Sequence, residues 1–187
     1  MLTQIINGQT LTPQGWLKDG SVLISDGKIL EVTNSDLAVI GAKVVDAKGM
    51  YIVPGFVAMN VHGGGGHDFK ECTEEAFHSA IAAHMKHGAT TLFPTLSSSP
   101  KELICKAVSI CEKLMAEKDG PVLGLHVEGP YLNTKMAGNL YDVKDPDEEE
   151  YRSILESTNC IKRWDASPEL PGAHDFARYL RSKDILA

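Results

Sequence analysis

Three apolar runs of the sequence carry polar side chains where a buried strand would have none, and each carries them late in the run. In Phe56 to His62, alternation puts Phe56, Ala58, Asn60 and His62 on one face and Val57, Met59 and Val61 on the other. In Val122 to Glu128, Gly124, His126 and Glu128 share one face, and Leu123, Leu125 and Val127 the opposite one. Thr90 to Leu96, between them, has Thr91, Phe93 and Thr95 on its mixed face. An ionised carboxylate in an apolar strand is strongly disfavoured unless a cation or a donor compensates it, so Glu128 is the hardest of these to read as packing. Imidazole and carboxylate are ordinary ligands of divalent ions, and His62 with Glu128, at adjacent strand ends, is expected to begin a metal site. His126 fits a hydrogen-bonded core residue as well as a ligand. Asn60 fits a loop anchor, and the threonines are good strand formers in any context.

Gly63 to Gly66 follows directly on the first of these runs. It lacks the spacing of a phosphate-binding loop and reads instead as a flexible turn that lets backbone approach a ligand or a neighbouring loop closely. His78, His84 and His87 have polar neighbours on a helical segment and are expected at the surface; His67 is open to either reading.

The elements that must position these residues change character at Pro54-Gly55. Before it, Ser21 to Ser25 and Lys28 to Val32 flank Asp26-Gly27, a pair suited to a type I′ hairpin, and Val44 to Ala47, Lys48-Gly49 and Met50 to Val53 repeat the pattern. After it, strands alternate with helices. Thr73 caps a helix reaching His87, with Gly88 as its stop, and Ser99-Pro100 opens one that runs to about Glu117. Asp147 to Ser157 and Ala173 to Ser182 read as helices, and Ile161 to Ser167 as a weaker strand. Such alternation implies parallel βαβ units, whose active sites form at the carboxyl ends of the strands.

Composition narrows the partners. A formal net charge of −7 with scattered Lys and Arg argues against nucleic acid and against an anionic membrane, which both need concentrated basic surface. No run approaches the ~20 apolar residues that span a bilayer, and no signal-like segment opens the chain. Cys72, Cys105, Cys111 and Cys160 show no CxxC pairing and read as reduced, packed thiols of a cytoplasmic protein.

Val53-Pro54-Gly55-Phe56 leading into Val61-His62-Gly63-Gly64-Gly65-Gly66 resembles the first barrel strand of the amidohydrolase superfamily, where a β-sandwich precedes that strand. Gly88-Ala89-Thr90-Thr91, Pro94-Thr95-Leu96, Gly124 through Asn133 and Ser167 through Gly172 narrow the resemblance to the N-acetylglucosamine-6-phosphate deacetylase family, with His126-Val127-Glu128-Gly129-Pro130 its most specific part. The resemblance implies an α/β fold: N-terminal strands of a small β-sandwich in residues 1–53, then the first four to five strands of a (β/α)8 TIM-type barrel in residues 54–187. It implies that Glu128 is the glutamate metal ligand and that His62 is the second histidine of a paired motif, a second-site candidate. Asn60 stands where the first histidine would be, and Ala58 where an aspartate commonly precedes it. Gly138, Asn139 and Leu140 fall where family members contact the amino sugar, Leu140 departing from the usual polar residue.

The implied chemistry is water activated by a divalent metal ion, zinc or iron, attacking the acetamide of N-acetylglucosamine 6-phosphate to release acetate and glucosamine 6-phosphate. A homodimer is implied for the intact enzyme. No catalytic residue is expected in this chain: residues 54–187 make up about half of the ~250 that a complete barrel takes, and the catalytic aspartate, two further metal histidines and the phosphate contacts are implied beyond Ala187. The chain alone is therefore expected to be a truncated, inactive portion. The alternatives are a noncatalytic fragment that folds, associates or weakly binds sugar phosphate, and a deacetylase for another N-acetyl amino-sugar phosphate.

Overall fold

The computed structural model describes residues 1–34, 38–138 and 140–187. They form two compact units, Met1–Pro54 and Gly55–Ala187.

The first unit is a mixed sheet of β1 (Leu2–Thr12), β2 (Gly15–Ser25), β3 (Lys28–Thr33), β4 (Lys43–Asp46) and β5 (Tyr51–Ile52). Its order is β3-β2-β1-β4, with β5 also on β1. The β2–β3 hairpin closes through Asp26 at φ 49° and Gly27 at φ 77°, the positive pair that a type I′ turn demands. The second hairpin expected from sequence does not form. Lys48 and Gly49 do turn, at φ 51° and 80°, but β4 and β5 both run parallel to β1, Thr3 facing Lys43 and Gln9 facing Tyr51. The cause lies in the partner strand: Asn7 at φ 58° bulges β1 opposite the turn. Gly49 N–H then donates to Asn7 O at 2.7 Å, Gln9 N–H donates to Met50 O at 2.9 Å, and the chain keeps following β1.

The second unit alternates strands and helices. In chain order it contains β6 (Phe56–Val61), the short β7 (Gly63–Gly64) and β8 (His67–Asp68), α1 (Glu74–Lys86), β9 (Ala89–Ser97) and α2 (Lys101–Met115). Then come β10 (Leu125–Glu128), α3 (Glu148–Ser157), β11 (Ile161–Asp165) and α4 (Ala173–Ser182). The long strands form a parallel sheet in the order β11-β10-β9-β6, which fits consecutive strands of a barrel. Leu186 pairs with Arg163 in a further parallel bridge beyond β11. The helices bury one face of this sheet. Leu92, Leu96, Leu125, Val127, Ile161 and Trp164 pack there against Phe77 of α1, Ile104 of α2, Ile154 of α3 and Phe176 of α4. Burial of that apolar area, at roughly 25 cal/mol per Å2, is the main force holding the unit together. Among the described residues, no helix is long and apolar enough to cross a membrane.

Several local expectations change. β6 is an edge strand with Phe56, Val57 and Met59 exposed, so it is not the doubly buried strand that parallel sheets usually contain. The N-cap of α2 is Pro100, with no side-chain bond, because Ser99 turns its hydroxyl back to donate to Ser97 O at 2.7 Å. β10 starts only at Leu125, Val122 making an isolated bridge to Leu92, and β11 ends at Asp165 rather than Ser167. Leu123 consequently leaves the core and lines an open cavity of about 400 Å3 with Met59, Phe93 and Arg163. A Cβ at Gly124 would stand 2.3 Å from Lys162 Cγ, so the residue between Leu123 and Leu125 has to be small.

Candidate functional site

The structure brings His62 and Glu128 together. His62 follows the last residue of β6 and Glu128 ends β10. The strands are not adjacent as expected, because β9 runs between them and the two side chains meet across its end. His62 Nε2 stands 3.0 Å from Glu128 Oε2, with side chains 44% and 28% exposed. The contact is off the line of a hydrogen bond, and Glu128 Oε2 is buried with no hydrogen-bond donor among the described residues. A buried carboxylate oxygen left unmatched costs stability unless something outside the chain satisfies it.

That oxygen is also a test of fit for a cation. A carboxylate oxygen and an imidazole nitrogen are ordinary ligands of divalent ions, and at 3.0 Å apart the two are close enough to share one. Among the described residues no cluster of three or more His, Cys, Asp or Glu side chains forms.

Glu128 is fixed from both sides. Its strand pairs it with Ser97 of β9 and Asp165 of β11. Gly129, at φ 84°, turns the chain sharply; its N–H donates to Asp165 O at 3.2 Å and its carbonyl accepts from Trp164 Nε1 at 2.7 Å. The Trp164 indole is fully buried and stacks on Tyr131 at 5.7 Å between centroids, and both rings pack edge-on to Phe176. The Tyr131 hydroxyl donates to Glu150 Oε1 at 2.9 Å, and burial, reinforced by that carboxylate, pushes the phenol far above its ordinary pKa.

Beneath the pair lies a polar layer. His126 is fully buried, with Nδ1 3.0 Å from Thr95 Oγ1 and Nε2 3.1 Å from Asp165 Oδ2. Burial lowers its pKa, outweighing the Asp165 carboxylate that raises it, and so favours the neutral ring. Arg163 holds Asp165 with two bonds, Nε to Oδ1 at 2.8 Å and Nη2 to Oδ2 at 3.1 Å. Sequence reading missed Arg163 and Asp165. Alternation along Ile161 to Asp165 puts both on one face, the same signal that singled out His126 and Glu128 on the preceding strand.

Asn60 is exposed, and the register slips between Ala58 and Val61, which both pack against the core. The simple alternation expected for this strand therefore fails at Asn60. Gly138 is exposed at φ 60°, Leu140 is half-buried, and Asn139 lies outside the described residues. The segment carrying them is tied at its ends: Lys144 N–H donates to Pro130 O at 2.8 Å, and Asn133 N–H to Ser167 Oγ at 2.9 Å.

The glycine run forms the β7–β8 hairpin, with Gly65 at φ 61° and Gly66 at φ 89°. It packs on α1, where His84 Nε2 meets Gly63 O at 2.9 Å, so His84 is half-buried while His78 and His87 are exposed. His67 pairs with Glu71 at 3.1 Å. A Cβ at Gly63 would lie 2.1 Å from His67 O and 2.8 Å from Asp68 Cα, backbone atoms that cannot swing aside. Gly63→Ala is expected to cost about 1 to 3 kcal/mol, as overpacking does. An unchanged denaturant midpoint would show that the hairpin accommodates the methyl group.

No family model matches the chain. Over 137 residues it is 32% identical to the N-acetylglucosamine-6-phosphate deacetylase of Haemophilus influenzae, covering 72% of this chain and 35% of that protein. Its fold matches the crystal structure of N-acetylglucosamine-6-phosphate deacetylase from Pasteurella multocida, with TM-score 0.91 at 21% identity, over 99% of this chain and 49% of that one. It also matches a mutant N-acetyl-D-glucosamine-6-phosphate deacetylase from Mycobacterium smegmatis in complex with N-acetyl-D-glucosamine-6-phosphate, with TM-score 0.86 at 26% identity, over 98% of this chain and 48% of that one. The chain spans between 35% and 49% of the length of these proteins, corresponding to their N-terminal portion.

Proposed function

The chain is similar over nearly its whole length to the N-terminal portion of N-acetylglucosamine-6-phosphate deacetylases, and from this we propose that it contributes the first part of the metal site of such an enzyme. The observation that carries the reading is the buried Glu128 Oε2, without a donor among the described residues, facing His62 Nε2 at the carboxyl ends of a parallel sheet. In this reading residues 1–53 are β-sandwich strands and residues 54–187 the first half of a (β/α)8 barrel. Glu128 supplies a carboxylate ligand and His62 an imidazole to a divalent ion, zinc or iron suiting this oxygen and nitrogen pair. When bound, the ion lowers the pKa of water and polarises the acetamide carbonyl. The segment with Gly138, Asn139 and Leu140, tied at its ends beside Glu128's strand, borders the amino sugar. The substrate is N-acetylglucosamine 6-phosphate, supported by the ligand of the Mycobacterium smegmatis structure.

The test is acetate release from N-acetylglucosamine 6-phosphate by the intact protein that carries this chain, with zinc or ferrous iron added. N-Acetylgalactosamine 6-phosphate in a parallel arm identifies a different sugar preference. Absence of release from both sugars would sink the reading. The two donors that meet among the described residues fall short of the three protein ligands usual for a catalytic metal, so the 187-residue polypeptide by itself is expected to release none.

A further inference from the structure

A single line of polar contacts crosses all four long strands directly beneath the proposed ligands. On β6, the N–H of Val61, the residue before His62, donates to Thr95 Oγ1 on β9 at 3.0 Å. The same hydroxyl lies 3.0 Å from Nδ1 of His126 on β10. His126 Nε2 stands 3.1 Å from Asp165 Oδ2 on β11, and Arg163 clamps that carboxylate at 2.8 and 3.1 Å. Thr95 and His126 are fully buried, so these are not solvated surface contacts. The Thr95 hydroxyl also donates to Phe93 O at 3.2 Å, and His126 Nε2, though 3.1 Å from Asp165 Oδ2, has no hydrogen bond in line among the described residues, so the line is one of close polar contacts rather than an unbroken hydrogen-bond chain.

The line touches each proposed ligand through one short lever. Val61 precedes His62, and its N–H is held by Thr95; His126 is two residues before Glu128 on the same strand face. A displacement of Thr95 or of Asp165 therefore changes where His62 Nε2 and Glu128 Oε2 stand relative to one another. A hydrophobic filling of this layer would be cheaper, since burying polar groups costs unless all are matched. Yet the buried threonine and histidine and the half-buried ion pair occupy the layer in strand order.

We propose that Thr95, His126, Asp165 and Arg163 form a cross-strand positioning network that sets the separation of His62 and Glu128 and thereby the affinity of the site for its divalent ion. The inference rests on the metal-site reading above. These residues are positioning residues, acting through the ligands rather than on substrate.

The experiment compares Thr95→Val, Thr95→Ser and Asp165→Asn with Glu128→Gln in the intact protein. Zinc affinity is read by competition with a chromophoric chelator, and site geometry by the visible absorption of the cobalt-substituted protein. Thr95→Val and Asp165→Asn are expected to weaken zinc binding roughly 10- to 100-fold, as the loss of partners behind metal ligands does, and to shift the cobalt spectrum. Thr95→Ser, which keeps the hydroxyl, is expected to retain both. A purely structural role would lower thermal stability in Thr95→Val without moving the spectrum. If Thr95→Val does not fold, Asp165→Asn, at a half-exposed position, carries the test alone. Unchanged affinity and spectrum in both, while Glu128→Gln loses zinc, would overturn this inference alone. Unchanged affinity in Glu128→Gln would overturn the metal-site reading beneath it.

Discussion

On the proposed reading, Glu128→Gln in the intact protein is expected to lose bound divalent ion and acetate release together. The amide preserves the shape of the side chain and its place in β10, between Ser97 and Asp165. It removes the negative charge of the buried Oε2, which has no hydrogen-bond donor among the described residues and faces the His62 imidazole at 3.0 Å. The expected drop in metal affinity exceeds the roughly 10- to 100-fold cost of removing an outer-shell partner, since the proposed ligand itself is lost. Metal content by atomic emission and acetate release would be followed on the same preparation. Turnover falling at unchanged stoichiometry would show that Glu128 acts on substrate and that the cation is held elsewhere. The apo protein should respond in the opposite sense: an uncompensated buried carboxylate opposes folding, so Glu128→Gln is expected to leave metal-free stability unchanged or raised.

Trp164→Ala is expected to have the largest effect on stability of any substitution near the site. The side chain is fully buried, stacked on Tyr131 and packed edge-on to Phe176, and its indole N–H donates to Gly129 O at 2.7 Å. Large-to-small changes at such aromatic positions cost about 3 to 5 kcal/mol, a large share of the ~5 to 15 kcal/mol that holds a typical domain together. Trp164→Phe keeps most of the volume but leaves the Gly129 carbonyl without its donor, at about 1 to 3 kcal/mol. Because Gly129 follows Glu128, the Phe variant is also expected to weaken metal binding while remaining folded. Denaturant unfolding of the two variants, with zinc affinity measured alongside, separates the contributions. A midpoint for Trp164→Ala equal to that of the unaltered protein would show that α4 and β11 do not share a core with the turn after Glu128.

That polar side chains stand at the ends of these two strands, His62 and Glu128, was legible because the rarity of an imidazole or a carboxylate in an apolar run is a local property, readable a few residues at a time. The same holds for the Asp26-Gly27 turn, the Thr73 cap and the α4 limits, where the chain's own φ preferences and side-chain reach decide the outcome. Lys48-Gly49 marks where local reading stops. Its dihedrals are those of a hairpin turn, but the bulge at Asn7, some forty residues earlier in sequence, keeps β4 and β5 both parallel to β1. Turn residues fix a bend, and only pairing fixes a direction.

The site divides in the same way. Residue types alone pointed to a histidine and a glutamate near one another, whereas the strand order put β9 between them and left Glu128 Oε2 without a donor among the described residues. Arg163 and Asp165 share a strand face as His126 and Glu128 do, but a charged pair near the end of a strand is usually solvated, so alternation alone did not single them out. They matter only because β11 pairs beside β10 with His126 facing Arg163 and Glu128 facing Asp165. Sequence by itself determined which residues have donor atoms and which strand face they share. Tertiary structure alone decided which donors meet, because distances between strands are set by register and packing rather than by any neighbour along the chain.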